Sequence, residues 1–109
     1  MTNRERNGRC NVVIAIARFH LRPERAAAFD AVWQRASLLL ANEDGYRGHR
    51  LGPQCEDSAC YVLEIEWDSL DAQSAFMAHA DFQPFLRMLW PHFAADPELI
   101  HFEPMPQVR

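Results

Sequence analysis

Apolar and polar positions follow two different periods along this chain, and these periods predict its strands and helices. From Asn11 to Leu21 the residues are apolar or β-branched on both alternating faces, which is typical of a strand buried on two sides. From Pro23 to about Asn42 apolar residues recur at helical spacing, and a proline is tolerated in the first turn of a helix. Gly45 can adopt the left-handed conformation that ends such a helix.

The rest of the chain predicts three more strands and a helical pair. These elements are a strand at 46–52, a turn at 55–59, a strand at 61–67, a short helix at 69–79, a helix from 81 that Pro91 interrupts, and a strand at 99–103. Their order indicates an α+β fold, a ferredoxin-like βαββαβ antiparallel sheet with the helices on one face. We expect one domain at 11–104, between a flexible N-terminal tail at 1–10 and a C-terminal tail at 105–109.

Composition and charge narrow the range of functions. No apolar run is long enough to cross a membrane, and none of signal-peptide type follows the N-terminus, so we expect a cytoplasmic protein without a membrane partner. The net charge is −4 and the arginines are scattered, which is unfavourable for binding nucleic acid. All 11 basic residues are arginine, which excludes Schiff-base chemistry. The 3 cysteines contain no CxxC pair, so we expect neither a disulfide framework nor a cysteine-based zinc site.

The second face of the predicted sheet is apolar and must be shielded from water. It would carry Val12, Ile14, Ile16 and Val62. A patch of this kind is usually covered by a partner, and the simplest partner is the same face of a second copy, related by a two-fold axis. We therefore predict a homodimer through the sheet face. Arg18 would neighbour Glu64 and Glu66 on this face, and we predict at least one ion pair among these three side chains, within one subunit or across two.

Five segments of the chain, taken in order, resemble a known family. They are "IARFHLRPERAAAF" (16–29), "GYRGHRL" (45–51), "YVLEIEWDSLDAQSAF" (61–76), "FQPFLRMLWPHF" (82–93) and "HFE" (101–103). Together they resemble the antibiotic biosynthesis monooxygenase-like proteins of the dimeric α+β barrel superfamily. This resemblance implies the predicted fold and a dimer. It leaves function open, because the superfamily also includes haem-degrading enzymes, isomerases and proteins with no known reaction.

The segment "GYRGHRL" allows two interpretations. In the first it is an ordinary second strand, in which Gly48 leaves space beside a neighbouring side chain and both arginines face water. In the second, His49 faces a pocket. Among the histidines, His49 is the candidate general base, because the ordinary pKa of imidazole suits proton abstraction near neutral pH.

The first strand predicts a cavity beneath the helices. Ala15 and Ala17 would face the helices and leave volume there, which is the usual place for a ligand in a fold of this size. Tyr61 and Trp67 share that side of the sheet. Gln73 falls inside the apolar arc of its helix, so its amide either reaches the cavity or lies at the edge of the helix.

The resemblance implies a particular oxygenase chemistry. Cofactor-free oxygenases of this kind oxidise anthrone-like aromatics, because the substrate carbanion formed by deprotonation reduces dioxygen directly. Trp67 matches the pocket tryptophan of these enzymes at the end of the third strand, and Arg87 matches an arginine of the later helix. The expected asparagine and tyrosine fall near Leu63 and Gln73, so these two polar groups are missing.

Haem and metal chemistry are not expected. The positions that haem-degrading relatives fill with asparagine, tryptophan and a histidine ligand hold Ala17, Phe76 and Leu86, so the iron would lack its protein ligand there. His79 and His92 stand nearby in the sequence and are interpreted as helix-end residues. No spacing rule supports a metal site formed by the remaining histidines, His20, His49 and His101. We therefore expect neither a cofactor nor a metal.

Two hypotheses for function follow. In the first, the chain is a monooxygenase-like enzyme that oxidises a small aromatic or quinone-like compound: Trp67 stacks on the substrate, His49 takes the proton, and Gln73 or Arg87 holds the oxyanion. The substrate would also contact Ala17, Tyr61 and Trp90. In the second, the chain is a non-catalytic dimeric protein for small-molecule binding or stress response. Trp33 and Trp90 lie on apolar helical stripes, which predicts core positions for both.

Overall fold

A computed structural model describes residues 12–106 of the chain. The strands are β1 (Val13–His20), β2 (Tyr46–Gln54), β3 (Asp57–Trp67) and β4 (Glu98–Phe102). The helices are α1 (Ala26–Ala41), α2 (Leu70–Ala78) and α3 (Phe82–Leu89), with 3-10 turns at Pro23–Arg25 and Trp90–His92. The predicted tail at 1–10 lies outside the described residues, as does most of the tail at 105–109. None of the helices between residues 12 and 106 is long and apolar enough to span a bilayer.

The strands form one antiparallel sheet in the order β2-β3-β1-β4, with the helices on one face. The predicted ferredoxin-like α+β fold is therefore confirmed. The hairpin between β2 and β3 is tighter than the sequence predicts, because pairing continues to Gln54 and Asp57. Only two residues are left for its turn.

Alternation along β1 and β3 divides the sheet into two faces, as predicted. The face under the helices carries buried side chains from both strands, namely Val13, Ala15, Phe19, Leu63, Ile65 and Trp67. Helix α1 covers this face with residues spaced three or four apart, Phe29, Trp33, Ala36 and Leu40, all of which are buried. Helical spacing therefore places one apolar stripe of α1 against the sheet.

The two glycines near the N-terminal end of β2 have different roles. Gly45 has φ of +85°, as the predicted helix end requires, and a Cβ at this position would lie 2.5 Å from Cβ of Ala72 in α2. Gly48 has φ of +152° at a shift in the β2–β3 register, and no atom lies within 4 Å of its Cβ position. The prediction that Gly48 leaves room for a neighbour is therefore wrong; the backbone conformation is what requires glycine.

The predicted ion pair between Arg18 and Glu64 or Glu66 does not form within the chain. Arg18 lies opposite Glu98 of β4 and pairs with it at 3.5 Å. Arg50 lies directly opposite Glu64 and pairs with it. Residues directly opposite are closer than diagonal ones, so each charge takes its direct neighbour. This ion pair therefore gives no support to a dimer.

The 3-10 turn after α3 overturns one core prediction. Trp90 is 52% exposed, whereas Trp33 is buried as predicted. Pro91 ends the α-helix, and the tighter turn rotates Trp90 away from the apolar stripe of α3.

Candidate functional site

A cavity of about 360 Å³ lies between the sheet and the α2–α3 pair. Its floor includes Ala15 and Ala17, so the cavity predicted above these alanines is confirmed. The remaining lining is apolar except for one glutamine: Phe19, Leu63, Ile65, Trp67, Gln73, Phe76, Met77, Phe82, Phe85, Leu86, Leu89, Trp90, Phe93, Pro97 and Leu99. Small alanine side chains on β1, facing large side chains on the helices, leave this space unfilled.

Two polar groups stand in this apolar lining. The indole Nε1 of Trp67 is buried and has no hydrogen-bond partner among residues 12–106. Gln73 is 6% exposed, and its Nε2 donates to the Met77 thioether at 3.3 Å. A thioether is a weak acceptor, and a buried donor without a partner costs about 1–3 kcal/mol. Neither group therefore has a strong acceptor, although the Trp67 side chain is 0% exposed and its N–H reaches the cavity only if neighbouring side chains shift.

The residues that line the cavity include no group that titrates near neutral pH. A ligand inside it would meet aromatic rings, aliphatic side chains and the Gln73 amide, with the Trp67 N–H just behind the cavity wall. The site can therefore orient a flat apolar molecule and stabilise negative charge on its oxygen, but its lining offers no base.

His49 lies outside the cavity, on the side of β2 that packs against α1. Its Nε2 accepts from Trp33 Nε1 at 3.2 Å, and its Nδ1 lies 2.6 Å from the Tyr46 hydroxyl. The indole can only donate, so neutral His49 carries its proton on Nδ1 and donates it to Tyr46. Burial lowers the pKa of His49 below its ordinary value. The lone pair that a base would use is therefore already engaged.

Two other predicted site residues also lie outside the cavity. Arg87 is exposed and borders a surface groove on α3 with Gln83 and Trp90. Tyr61 packs edge-on against Phe29, with ring centroids 5.4 Å apart, and burial raises the pKa of its hydroxyl. Of the predicted site residues, the cavity thus brings together Ala17, Trp67, Gln73 and Trp90, with Trp90 at its rim.

The histidines of the strands do not converge. His20 lies on the outward face of the sheet and bonds Glu98 at 2.9 Å. His101 lies opposite Ala15, on the other face. His92, interpreted from the sequence as a helix-end residue, is buried against Phe29, and its Nδ1 has no partner among the described residues. No periodicity predicts this burial, because His92 lies in the 3-10 turn.

Fold and site together define a class of protein: a ferredoxin-like α+β domain with an aromatic-lined cavity between sheet and helices. Comparison with known proteins gives the family. The sequence profile of the antibiotic biosynthesis monooxygenase family matches residues 12–88, and the chain belongs to this family.

Individual proteins are similar to this chain over most of its length. A structure from Bordetella bronchiseptica, provisionally assigned as an antibiotic biosynthesis monooxygenase, is 27% identical, with a TM-score of 0.82 over 88% of this chain and 99% of that one. SnoaB, a cofactor-independent oxygenase of Streptomyces nogalater, shares the fold, with 22% identity and a TM-score of 0.79 over 90% and 97% of the two chains. The uncharacterized protein YczJ of Bacillus subtilis is 24% identical over 80% of this chain and 93% of its own length.

Proposed function

We propose that this chain is a cofactor-independent monooxygenase that oxidises a small aromatic or quinone-like compound in the cavity. The observation that carries the proposal is the unpartnered Nε1–H of Trp67 within an otherwise apolar, aromatic lining. A phenolic or enolic oxygen on a flat ring system supplies the missing acceptor and fills the apolar space. The volume of about 360 Å³ falls in the range of about 300–1,000 Å³ that is usual for small-molecule sites.

The chemistry follows from the two donors and the absence of a base in the lining. A substrate with an acidic CH₂ group beside a carbonyl, such as an anthrone, loses a proton to water and becomes an enolate. Hydrogen bonds from Trp67 and Gln73 to the enolate oxygen stabilise the charged form and lower the pKa of the bound substrate. The reactive form of the substrate is thereby enriched without a protein base.

Dioxygen is the oxidant in this proposal. The enolate carbon transfers electrons to O₂ and forms a carbon–oxygen bond, which on protonation gives a hydroperoxide. Loss of water converts the CH–OOH group into a carbonyl. The sum is one CH₂ group plus one O₂ giving one C=O and one H₂O, so the atoms and electrons balance without metal or flavin.

A second candidate function is binding without catalysis. It is favoured by the same absence of a titratable group in the cavity lining, since a binding protein needs only shape and the two donors. In this case the cavity holds a small apolar ligand and does not turn it over.

We further propose that the chain forms a homodimer through the outward face of its sheet. Ile14 and Ile16 lie on this face, as the sequence predicts, and β4 adds Ile100 and Phe102, which are 61% and 44% exposed. Pairing with a second copy removes this apolar surface from water. A cytoplasmic location remains a prediction from composition.

Oxygen consumption with anthrone and with substituted hydroquinones tests the proposed activity. Trp67→Phe keeps an aromatic ring and removes the N–H donor, and Gln73→Leu removes the amide at similar volume. Each is expected to lower kcat/KM at least tenfold. Gln34→Leu makes the matched change on the exposed side of α1 and should retain turnover.

The two functions give different results in this experiment. Turnover that falls in both cavity variants supports the oxygenase. Saturable anthraquinone binding, measured by tryptophan fluorescence quenching, with no oxygen uptake supports the binding protein. Turnover equal to wild type in both variants would remove the assigned roles of Trp67 and Gln73.

A further inference from the structure

The turns that follow α1 and α2 bring three metal-ligating side chains together outside the cavity. Glu43 comes from the first turn, and His79 and Asp81 come from the second. Their ligand atoms all lie within 4.8 Å of one another. His79 Nδ1 is 3.4 Å from Glu43 Oε2 and 3.6 Å from Asp81 Oδ2. Two loops that are distant in the sequence therefore meet at a single point.

Two carboxylates and an imidazole nitrogen meet at this point. The backbone N–H of Asp81 donates to His79 Nδ1 at 3.1 Å, so this nitrogen carries a lone pair rather than a proton, and in the absence of an ion the amide engages that lone pair. The Glu43 side chain is 8% exposed. Burying a carboxylate beside a second carboxylate and a lone pair is costly unless a cation lies between them. A cation at its centre would remove this cost, as would a proton shared by the two carboxyl groups.

The distances are compatible with a tetrahedral ion. Zinc bonds imidazole nitrogen and carboxylate oxygen at about 2.0–2.2 Å, which in a tetrahedron separates the ligand atoms by about 3.3–3.6 Å. The octahedral geometry of magnesium at about 2.0–2.1 Å would bring neighbouring ligands to about 3.0 Å. The separations of 3.4 and 3.6 Å from His79, which are also those of a metal-free ion pair, lie within this tetrahedral range. Imidazole is also a zinc ligand rather than a magnesium ligand.

We propose that Glu43, His79 and Asp81 form a zinc site with three protein ligands and a fourth position open to solvent. In this site the ion takes over the lone pair of His79 Nδ1, and the amide of Asp81 turns to water. A pocket of about 200 Å³ beside the three groups, bordered also by Asn42 and Asp44, leaves room for a water at the fourth position.

The position of the site gives the ion a structural effect. The ion would link the α1–β2 turn to the α2–α3 turn. Phe76 borders both this pocket and the aromatic-lined cavity, so the ion would also fix one wall of the cavity. We expect zinc to raise the thermal midpoint of the chain, because it binds the folded form in preference to the unfolded one.

Calorimetric titration of the metal-free chain with zinc chloride tests the site. We expect one zinc per chain, with binding at least tenfold weaker in His79→Ala and in Glu43→Gln. Glu43→Gln keeps the side-chain volume, and circular dichroism verifies that each variant folds. His101→Ala and Glu56→Gln remove an exposed imidazole and an exposed carboxylate elsewhere, and both should bind zinc as wild type does.

X-ray absorption of the zinc-loaded chain separates this site from binding by the cysteines. The proposal expects a shell of nitrogen and oxygen alone, and intense visible absorption when cobalt(II) replaces zinc in tetrahedral geometry. Sulfur in the shell would overturn it, as would wild-type affinity in both ligand variants. Absence of zinc uptake near pH 7.5 would also overturn it and would leave a proton shared between Glu43 and Asp81 as the neutralising cation.

Discussion

The indole nitrogen of Trp33 donates to Nε2 of His49 at 3.2 Å and so occupies the lone pair that a general base would need. This bond joins α1 to β2. It also fixes the tautomer of the imidazole, because His49 can then donate only from Nδ1, to the Tyr46 hydroxyl. The consequence is that His49 acts as part of the fold in this structure.

Trp33 is expected to contribute to stability both through burial and through this bond. Trp33→Ala should lower the free energy of unfolding by about 3–5 kcal/mol, because it leaves a large cavity. Trp33→Phe keeps most of the apolar volume but leaves Nε2 of His49 without a donor, at a cost of about 1–3 kcal/mol. Urea unfolding measures both values. A loss in Trp33→Phe as large as in Trp33→Ala would contradict the division between packing and hydrogen bonding.

His49 should make the fold sensitive to acid. Burial lowers its pKa, so below the ordinary value near 6.5 the unfolded chain binds more protons than the folded chain. Its contribution to stability is therefore fully present above pH 6.5 and is lost as the pH falls through the folded pKa. We expect the unfolding free energy to fall less steeply between pH 7 and pH 5 in His49→Gln than in wild type. The exposed His101, changed to glutamine, serves as the control; an equal slope in all three proteins would exclude the effect.

The pH dependence of turnover should be set by the pKa of the substrate rather than by the pKa of a protein group. Because the cavity lining has no titratable group, log kcat/KM is expected to rise with pH up to the pKa of the substrate. A more acidic anthrone should shift this profile to lower pH by the difference between the substrate pKa values. A profile that stays in place for every substrate and disappears in His49→Gln would instead restore His49 as the base.

The outward face should control assembly. Ile100→Glu places a charge on the proposed interface, and we expect it to convert a dimer into a monomer in light-scattering measurements at micromolar concentration. Leu38→Glu makes a similar change on α1, where the side chain is 66% exposed, and should remain dimeric. Identical masses for wild type and Ile100→Glu would argue against pairing through this face.

The glycines at the start of β2 should differ in their tolerance of alanine. Gly48→Ala forces a side chain into an unfavourable backbone conformation but meets no neighbour, which should cost about 1–2 kcal/mol. Gly45→Ala adds a collision with Ala72 at 2.5 Å and should cost about 1–3 kcal/mol more. Thermal unfolding of the two variants gives the comparison, and a less stable Gly48→Ala would reverse the assignment.

The fold could be predicted from the sequence because local periodicity determines its strands and helices. Alternation in β1 and β3 gave the correct faces, and with them the cavity above Ala15 and Ala17. Side-chain partners were harder to predict. Arg18 has a strand on either side, and the sequence pattern does not decide between them; the register does, by setting Glu98 directly opposite. Trp90 shows a second limit, because a proline that ends a helix also rotates the residue before it.

The residues of the site could be predicted only in part, for a related reason. Alternation along β3 predicted the place of Trp67 in the cavity, whereas helical periodicity left Gln73 open between the cavity and the edge of its helix, and the structure decides for the cavity. The bond between Trp33 and His49 joins a helix to a strand, and its formation depends on how the two pack. The group formed by Glu43, His79 and Asp81 likewise has no spacing motif, because two separate turns supply it.

Strand β4 touches both the cavity and the outward face. Leu99 lies at the rim of the cavity, and Ile100, the next residue, points to the opposite side. If the sheets pair as proposed, a ligand that orders Leu99 in the cavity also orders Ile100, which then contacts the second copy of the chain. Occupancy and association are then thermodynamically linked, so each strengthens the other by the same factor. Dilution into monomers would then weaken ligand binding.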